Sequence, residues 1–143
     1  MEDPLVRKFQ RLTPAMALAD VRVALGAPTT ESVAADGRML WWYVYGPQGF
    51  VTWRLAFDRA SGLTEVEQVL TETRFKRIEP GWSRDQVLEF IGPPRITERY
   101  PALGETVMVW RYQDRSYNKF LNVYLDTEGR VKRFDLQQEQ SAP

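Results

Sequence analysis

The chain has 143 residues, 43% of them hydrophobic and 27% charged, and its 19 basic and 19 acidic residues cancel. That composition is the ordinary one of soluble globular proteins, long enough for one domain or two small ones, and the neutral balance offers no global field to nucleic acid or to an anionic membrane. Cysteine and histidine are both absent, which removes disulfides, thiolate and imidazole metal ligands, cysteine nucleophiles and any Ser-His-Asp triad.

No apolar run approaches the roughly 20 residues of a membrane span. The N-terminus, Met1-Glu-Asp-Pro-Leu5, lacks the basic and apolar regions of a signal peptide. The expectation is therefore a cytoplasmic protein, or one whose targeting segment is not in this chain. Leu5, Phe9 and Leu12 suit one or two helical turns. A short helix is predicted from about Ala17 to Leu25, with alanine at its cap. Asp36–Gly37 marks a turn. Met39 to Tyr45, dense in aromatic residues, reads as a strand, and Gly46 to Gly49 as a turn. Phe50 to Phe57 alternates cleanly, with Val51, Trp53, Leu55 and Phe57 on one face. After a turn at Asp58–Gly62, Leu63 to Leu70 forms a third strand.

The second half repeats this order. Ser83 and Gln86 have the form of a capping box, in which the serine hydroxyl accepts from the Gln86 N–H and the amide reaches back. Val87, Phe90 and Ile91 share one helical face, and Gly92-Pro-Pro94 stops the helix. So short a helix is marginal alone and must lie on a sheet. Strands follow at Thr106 to Tyr112, Lys119 to Leu125 and Arg130 to Leu136, with a polar tail from Gln137. Shifting Phe9–Pro28 by 66 positions onto Phe75–Pro94 matches Phe9/Phe75, Arg11/Arg77, Pro14/Pro80, Val21/Val87, Gly26/Gly92 and Pro28/Pro94. About one identity in such a window is expected by chance. A repeat of this size organises the whole reading. The expected fold class is α+β: two tandem units, 1–70 and 71–143, each a short helix followed by an antiparallel meander.

Pro80-Gly-Trp-Ser-Arg-Asp-Gln-Val-Leu-Glu-Phe-Ile-Gly-Pro-Pro94, with Trp110-Arg-Tyr112 and Asp126-Thr-Glu-Gly129, resembles the SmpA/OmlA (BamE-like) outer-membrane lipoprotein domain. The resemblance covers most of 75–136 and, more weakly, 9–70, where Ala15, Ala17 and Ala27 replace the family's glycine, serine and first proline. Two such units in tandem are similar to the arrangement in β-lactamase-inhibitor proteins. The resemblance implies a periplasmic lipoprotein, anchored to the outer membrane by a lipobox cysteine that this sequence lacks, which assists β-barrel assembly. Its partners would be proteins, including outer-membrane assembly components. The alternative is an inhibitor or regulator of a periplasmic or secreted enzyme.

The residues themselves point to protein binding. Trp41, Tyr43 and Tyr45 alternate with other bulky groups, as do Trp110 and Tyr112, while Phe120 and Tyr124 oppose the Leu121/Val123/Leu125 face. Trp, Tyr and Arg dominate interface hot spots, so one aromatic face is expected to stay exposed. The opposing reading buries these faces between the two units or in a homodimer. Arg111 to Lys119, a polar loop bearing Tyr117 and two arginines, reads either as a recognition loop or, the favoured reading, as a solvated hairpin connection. The carboxylates near Asp58 and Asp126 suit turns better than a glycosidase pair. Gly46 to Gly49 lacks the Lys-Ser/Thr of a phosphate loop. No enzyme, cofactor, metal or nucleic-acid role is expected.

Overall fold

The computed structural model describes residues 4–45 and 50–139. Its helices are α1 (Pro4–Gln10), α2 (Leu18–Leu25), α3 (Glu72–Phe75) and α4 (Arg84–Ile91). The strands are β1 (Thr30–Val33), β2 (Met39–Tyr45), β3 (Val51–Phe57), β4 (Leu63–Gln68), β5 (Ile96–Tyr100), β6 (Glu105–Asp114), β7 (Tyr117–Leu125) and β8 (Val131–Gln138). They form two four-stranded antiparallel sheets in sequential order, β1-β2-β3-β4 and β5-β6-β7-β8.

This corrects the expected fold class. Of the described residues, 46% are in strand and 22% in helix, so the protein is mostly β rather than α+β, and no described helix exceeds eight residues. Each sheet opens with a strand, β1 or β5, where no strand was expected between helix and aromatic strand. Every residue of these two strands is exposed. A strand without a buried face leaves no alternation of apolar residues to find. The expected loop from Arg111 to Lys119 is also corrected. Asp114 pairs directly with Tyr117, and Arg115 takes a positive φ of 57° in the tight turn between them. The expected turn at Gly46 to Gly49 lies outside the described residues.

The chain divides into two compact units, Met1–Tyr43 with Trp53–Gln68, and Val44–Thr52 with Val69–Pro143. In the first, Phe9 of α1 stacks on Trp53 with centroids 4.4 Å apart and meets Tyr43 edge-on, while Trp41 meets Phe57. Such aromatic pairs add to the energy of area burial. Val21 is the buried anchor of α2, and Arg22 of the same helix lies over Trp41. The Tyr43 hydroxyl donates to the Gly26 carbonyl at the end of α2.

The second unit uses similar devices. The Ser83–Gln86 capping box is fully formed, satisfying donors that a helix start otherwise leaves open. Gly92 closes α4 at φ 84° and ψ −167°, a region that essentially only glycine enters. Its carbonyl accepts from the Trp110 indole N–H at 3.2 Å, which seats the helix end on β6. Val87 and Ile91 of α4 are buried, as are Met108, Trp110 and Tyr112 of β6 and Leu121, Val123 and Leu125 of β7.

Both units hold the start of the helix to the sheet in the same way. Ala15 N–H donates to Leu63 and Leu63 N–H to Met16, as Gly81 donates to Val131 and Val131 to Trp82. Asp58 and Asp126 each accept two backbone N–H groups across the turn before the last strand.

A candidate protein-binding face

Alternation along β6 and β7 divides the aromatic residues of the second sheet. Met108, Trp110 and Tyr112 point to the side that carries α4. Cross-strand register puts Leu121 opposite Trp110 and Val123 opposite Met108 on that same side. The other side, here the outer face, carries Val107 opposite Tyr124, Val109 opposite Asn122 and Arg111 opposite Phe120. From β8 it receives Arg133, opposite Tyr124, and Asp135, opposite Asn122.

Hydrogen bonds hold the outer face in place. The Tyr124 hydroxyl donates to one Asp135 oxygen and the Asn122 amide to the other, both at 2.8 Å. Arg133 lies 3.6 Å over the Tyr124 ring and donates to Asp135. Burial first, and then the Asp135 carboxylate, push the Tyr124 phenol above its ordinary range. Arg111 lies over Phe50, just ahead of β3, at 4.5 Å and over Phe120 at 5.9 Å. It donates to both Glu139 oxygens, and that bond holds the Glu139 carboxyl below the usual range. On β5, Tyr100 donates to Glu98, which raises the Tyr100 phenol. The result is a face of aromatic rings and guanidinium planes, half exposed and fixed by its own hydrogen bonds.

The eight residues expected to bind a partner fall into three groups. Trp41, Tyr43, Trp110 and Tyr112 are buried to 2% exposure or less; they pack under helices and cannot meet a partner without local opening. Phe120 and Tyr124 belong to the outer face. Tyr45 is half-buried at the end of β2, and Tyr117 is 55% exposed at the β6–β7 turn. Both faces of β2 are buried, since Leu40 and Trp42 are as enclosed as Trp41 and Tyr43. Of the residues that complete the outer face, Arg111 was expected only as the start of a polar loop, and Arg133, Asp135 and Glu139 were not singled out from sequence. The signal for Arg133 and Asp135 was their alternation with apolar Phe134 and Leu136.

A second polar cluster serves the fold. Glu72, at the start of α3, accepts from the Tyr112 hydroxyl at 2.6 Å and from Lys119 at 2.8 Å, and Lys119 also reaches Asp114. The Lys119 bond holds the Glu72 carboxyl below its usual range, whereas burial and Glu72 push the Tyr112 phenol up. The cluster ties α3 to β6 and β7. Among the described residues, no group of three or more His, Cys, Asp or Glu side chains is placed to hold a metal, and no helix is long and apolar enough to cross a membrane.

No protein-family model matches the chain, and no curated protein matches it. Among solved structures, it is similar to YjgB, a DUF4309-family protein of Bacillus subtilis. The likeness covers 86% of this chain and 78% of that one, with 16% sequence identity and a TM-score of 0.33.

Proposed function

We propose that this chain is a non-catalytic protein-binding module, and that it binds through the outer face of the second sheet. The observation that carries the reading is the pre-formed pairing of rings with guanidinium planes on that face: Tyr124 under Arg133, and Phe120 with Phe50 around Arg111. Tyr and Arg are among the side-chain types that contribute most at protein interfaces, and Phe is enriched there. Their fixed rotamers also reduce the ordering cost of association. The narrower setting, a periplasmic module beside outer-membrane barrel-assembly components, rests on the sequence resemblance at Pro80–Pro94 and Trp110–Tyr112.

The test is a photo-crosslinking residue placed at Tyr124, with the same residue at Val23, 88% exposed on α2, as a control. The expected result is one protein adduct from position 124 that is lost when Arg133→Glu is added. The same adducts from position 23, or none from 124, would remove the outer face as the binding site. The partner's identity then separates the settings: a barrel-assembly component supports the envelope, and a soluble enzyme supports the inhibitor reading.

A further inference from the structure

The free edge of β5, with the cleft beside it, is a second surface of this unit, and its Ile96, Glu98 and Tyr100 side adjoins the outer face. All five residues of β5 are exposed, whereas most of β6 is buried or half-buried. The strand is the first of its sheet, and its register with β6 runs from Ile96 opposite Val109 to Tyr100 opposite Glu105 without a bulge. Half of the backbone N–H and C=O groups of such an edge point away from the sheet and are a template for another strand. Of the devices that commonly protect an edge, proline, lysine and bulges are missing from Ile96–Tyr100, and the charges of Glu98 and Arg99 are present.

A cleft of about 530 Å3 lies next to this edge, with Arg84, Arg99, Thr106, Asp126 and Glu128 in its lining. Among the described residues, two of its three acidic groups are committed and the Glu128 carboxylate is not. Asp126 accepts the N–H groups of Glu128 and Arg130, and Glu105, also in the wall, pairs with Lys132 at 2.7 Å. Among the described residues, the Arg84 and Arg99 guanidinium groups have no hydrogen-bonded or ionic partner. Arg84 is moreover the first residue of α4, the end at which the helix dipole disfavours a cation. Two unpaired guanidinium groups in one cleft favour a carboxylate, which each can hold by charge-assisted hydrogen bonds.

We propose that β5 takes up an added strand from a partner protein: an extended segment with a glutamate or aspartate whose carboxylate enters the cleft between Arg84 and Arg99. Strand addition supplies main-chain hydrogen bonds, and alternate side chains supply the specificity. With the acid opposite Arg99, its two neighbours turn to the other side of the added strand, opposite Glu98 and exposed Tyr100, so the one opposite Tyr100 should be apolar and the one opposite Glu98 should not be acidic. A second copy of this chain is a poor occupant. The two-fold register that pairs all five residues sets Glu98 against Glu98. Shifting its centre to Arg99 opposes two arginines, and shifting it to Thr97 opposes Arg95 and Arg99. Like charges directly opposite are destabilising in a sheet.

The test pans the full chain against phage-displayed seven-residue peptides with glutamate fixed at the centre, and against a matched library with lysine there. Glutamate-centred peptides should be enriched, carry an apolar residue on one side of the acid and bind at least tenfold more tightly than their lysine counterparts. Arg99→Glu should reverse that preference, and Arg84→Gln should weaken binding severalfold. Amide hydrogen exchange of residues 96–100 should slow when peptide binds. Equal recovery from the two libraries, no recovery from either, an unchanged preference in folded Arg99→Glu, or slowing confined to other strands would each overturn the proposal. None of these outcomes bears on the outer face, whose test uses residues 124 and 133.

Discussion

Ala15 occupies the left-handed region at φ 65°, where the matching position of the second unit holds Gly81 at φ 93°. Its N–H is pinned to the Leu63 carbonyl at 2.8 Å, so the backbone cannot relax without losing a bridge between helix lead-in and sheet. An L-residue there carries a cost of roughly 1–2 kcal/mol, partly offset because glycine has more freedom to lose on folding. Ala15→Gly should therefore raise stability by about 0.5–1 kcal/mol. Ala17 has the cap geometry of Ser83, φ −73° and ψ 154° against −75° and 161°, but no side-chain bond to the helix start. Ala17→Ser should add about 1 kcal/mol by supplying that acceptor. A denaturant midpoint that rises at unchanged slope checks both. If neither substitution shifts the midpoint, the two lead-ins are not held alike.

At the scale of the element, the two sides of β6 and β7 predict opposite mutational behaviour. Trp110 is 2% exposed and donates to the Gly92 carbonyl, so Trp110→Ala leaves both a cavity and an unpaired acceptor, at a cost of about 3–5 kcal/mol. Tyr124→Ala removes a half-exposed ring and its bond to Asp135, a loss of about 1 kcal/mol. Thermal melts of the two variants, read beside the crosslinking yield of the Tyr124 variant probed at Phe120, separate the roles. Trp110→Ala melting with the wild type would remove it from the core. The sequence made β2 visible, with Leu40 and Trp42 as bulky as Trp41 and Tyr43, but composition does not show that both of its sides are covered. The capping box at Ser83 and the stop at Gly92 were legible because both are local chemistry. Edge strands β1 and β5 were not, since a strand exposed on both sides carries no apolar period. The polar run Arg111-Tyr-Gln-Asp looks like a loop, yet it is the end of β6, whose alternate residues face solvent. Half of the outer face was hidden for the same reason.

At the scale of the molecule, the ionisable groups set a window of maximum stability. Glu72 is held below its usual range first by the Lys119 bond, Asp126 by the Arg130 N–H, Glu139 by Arg111 and Asp36 by the Arg38 N–H. A carboxylate depressed in the folded state contributes stability that is present above its unfolded pKa and lost as pH falls through its folded pKa. Lys119 is shifted the other way, raised first by its bond to Glu72, so its contribution is full below the ordinary lysine range and lost as pH rises through its folded pKa. The Glu72–Lys119 pair thus stabilises the second unit on a plateau between the two limits. Glu72→Gln keeps the shape and an acceptor for Tyr112 but removes the charge. The variant should have a lower urea midpoint than the wild type at neutral pH. The difference should shrink to nothing as the pH is taken down through the acidic range where Glu72 becomes protonated, and it should shrink again in strong alkali once Lys119 is neutral. A difference that stays constant down the acid limb would mean that the Glu72 charge contributes nothing, and that α3 is held by Phe75 against Tyr112 and by the neutral hydrogen bond alone.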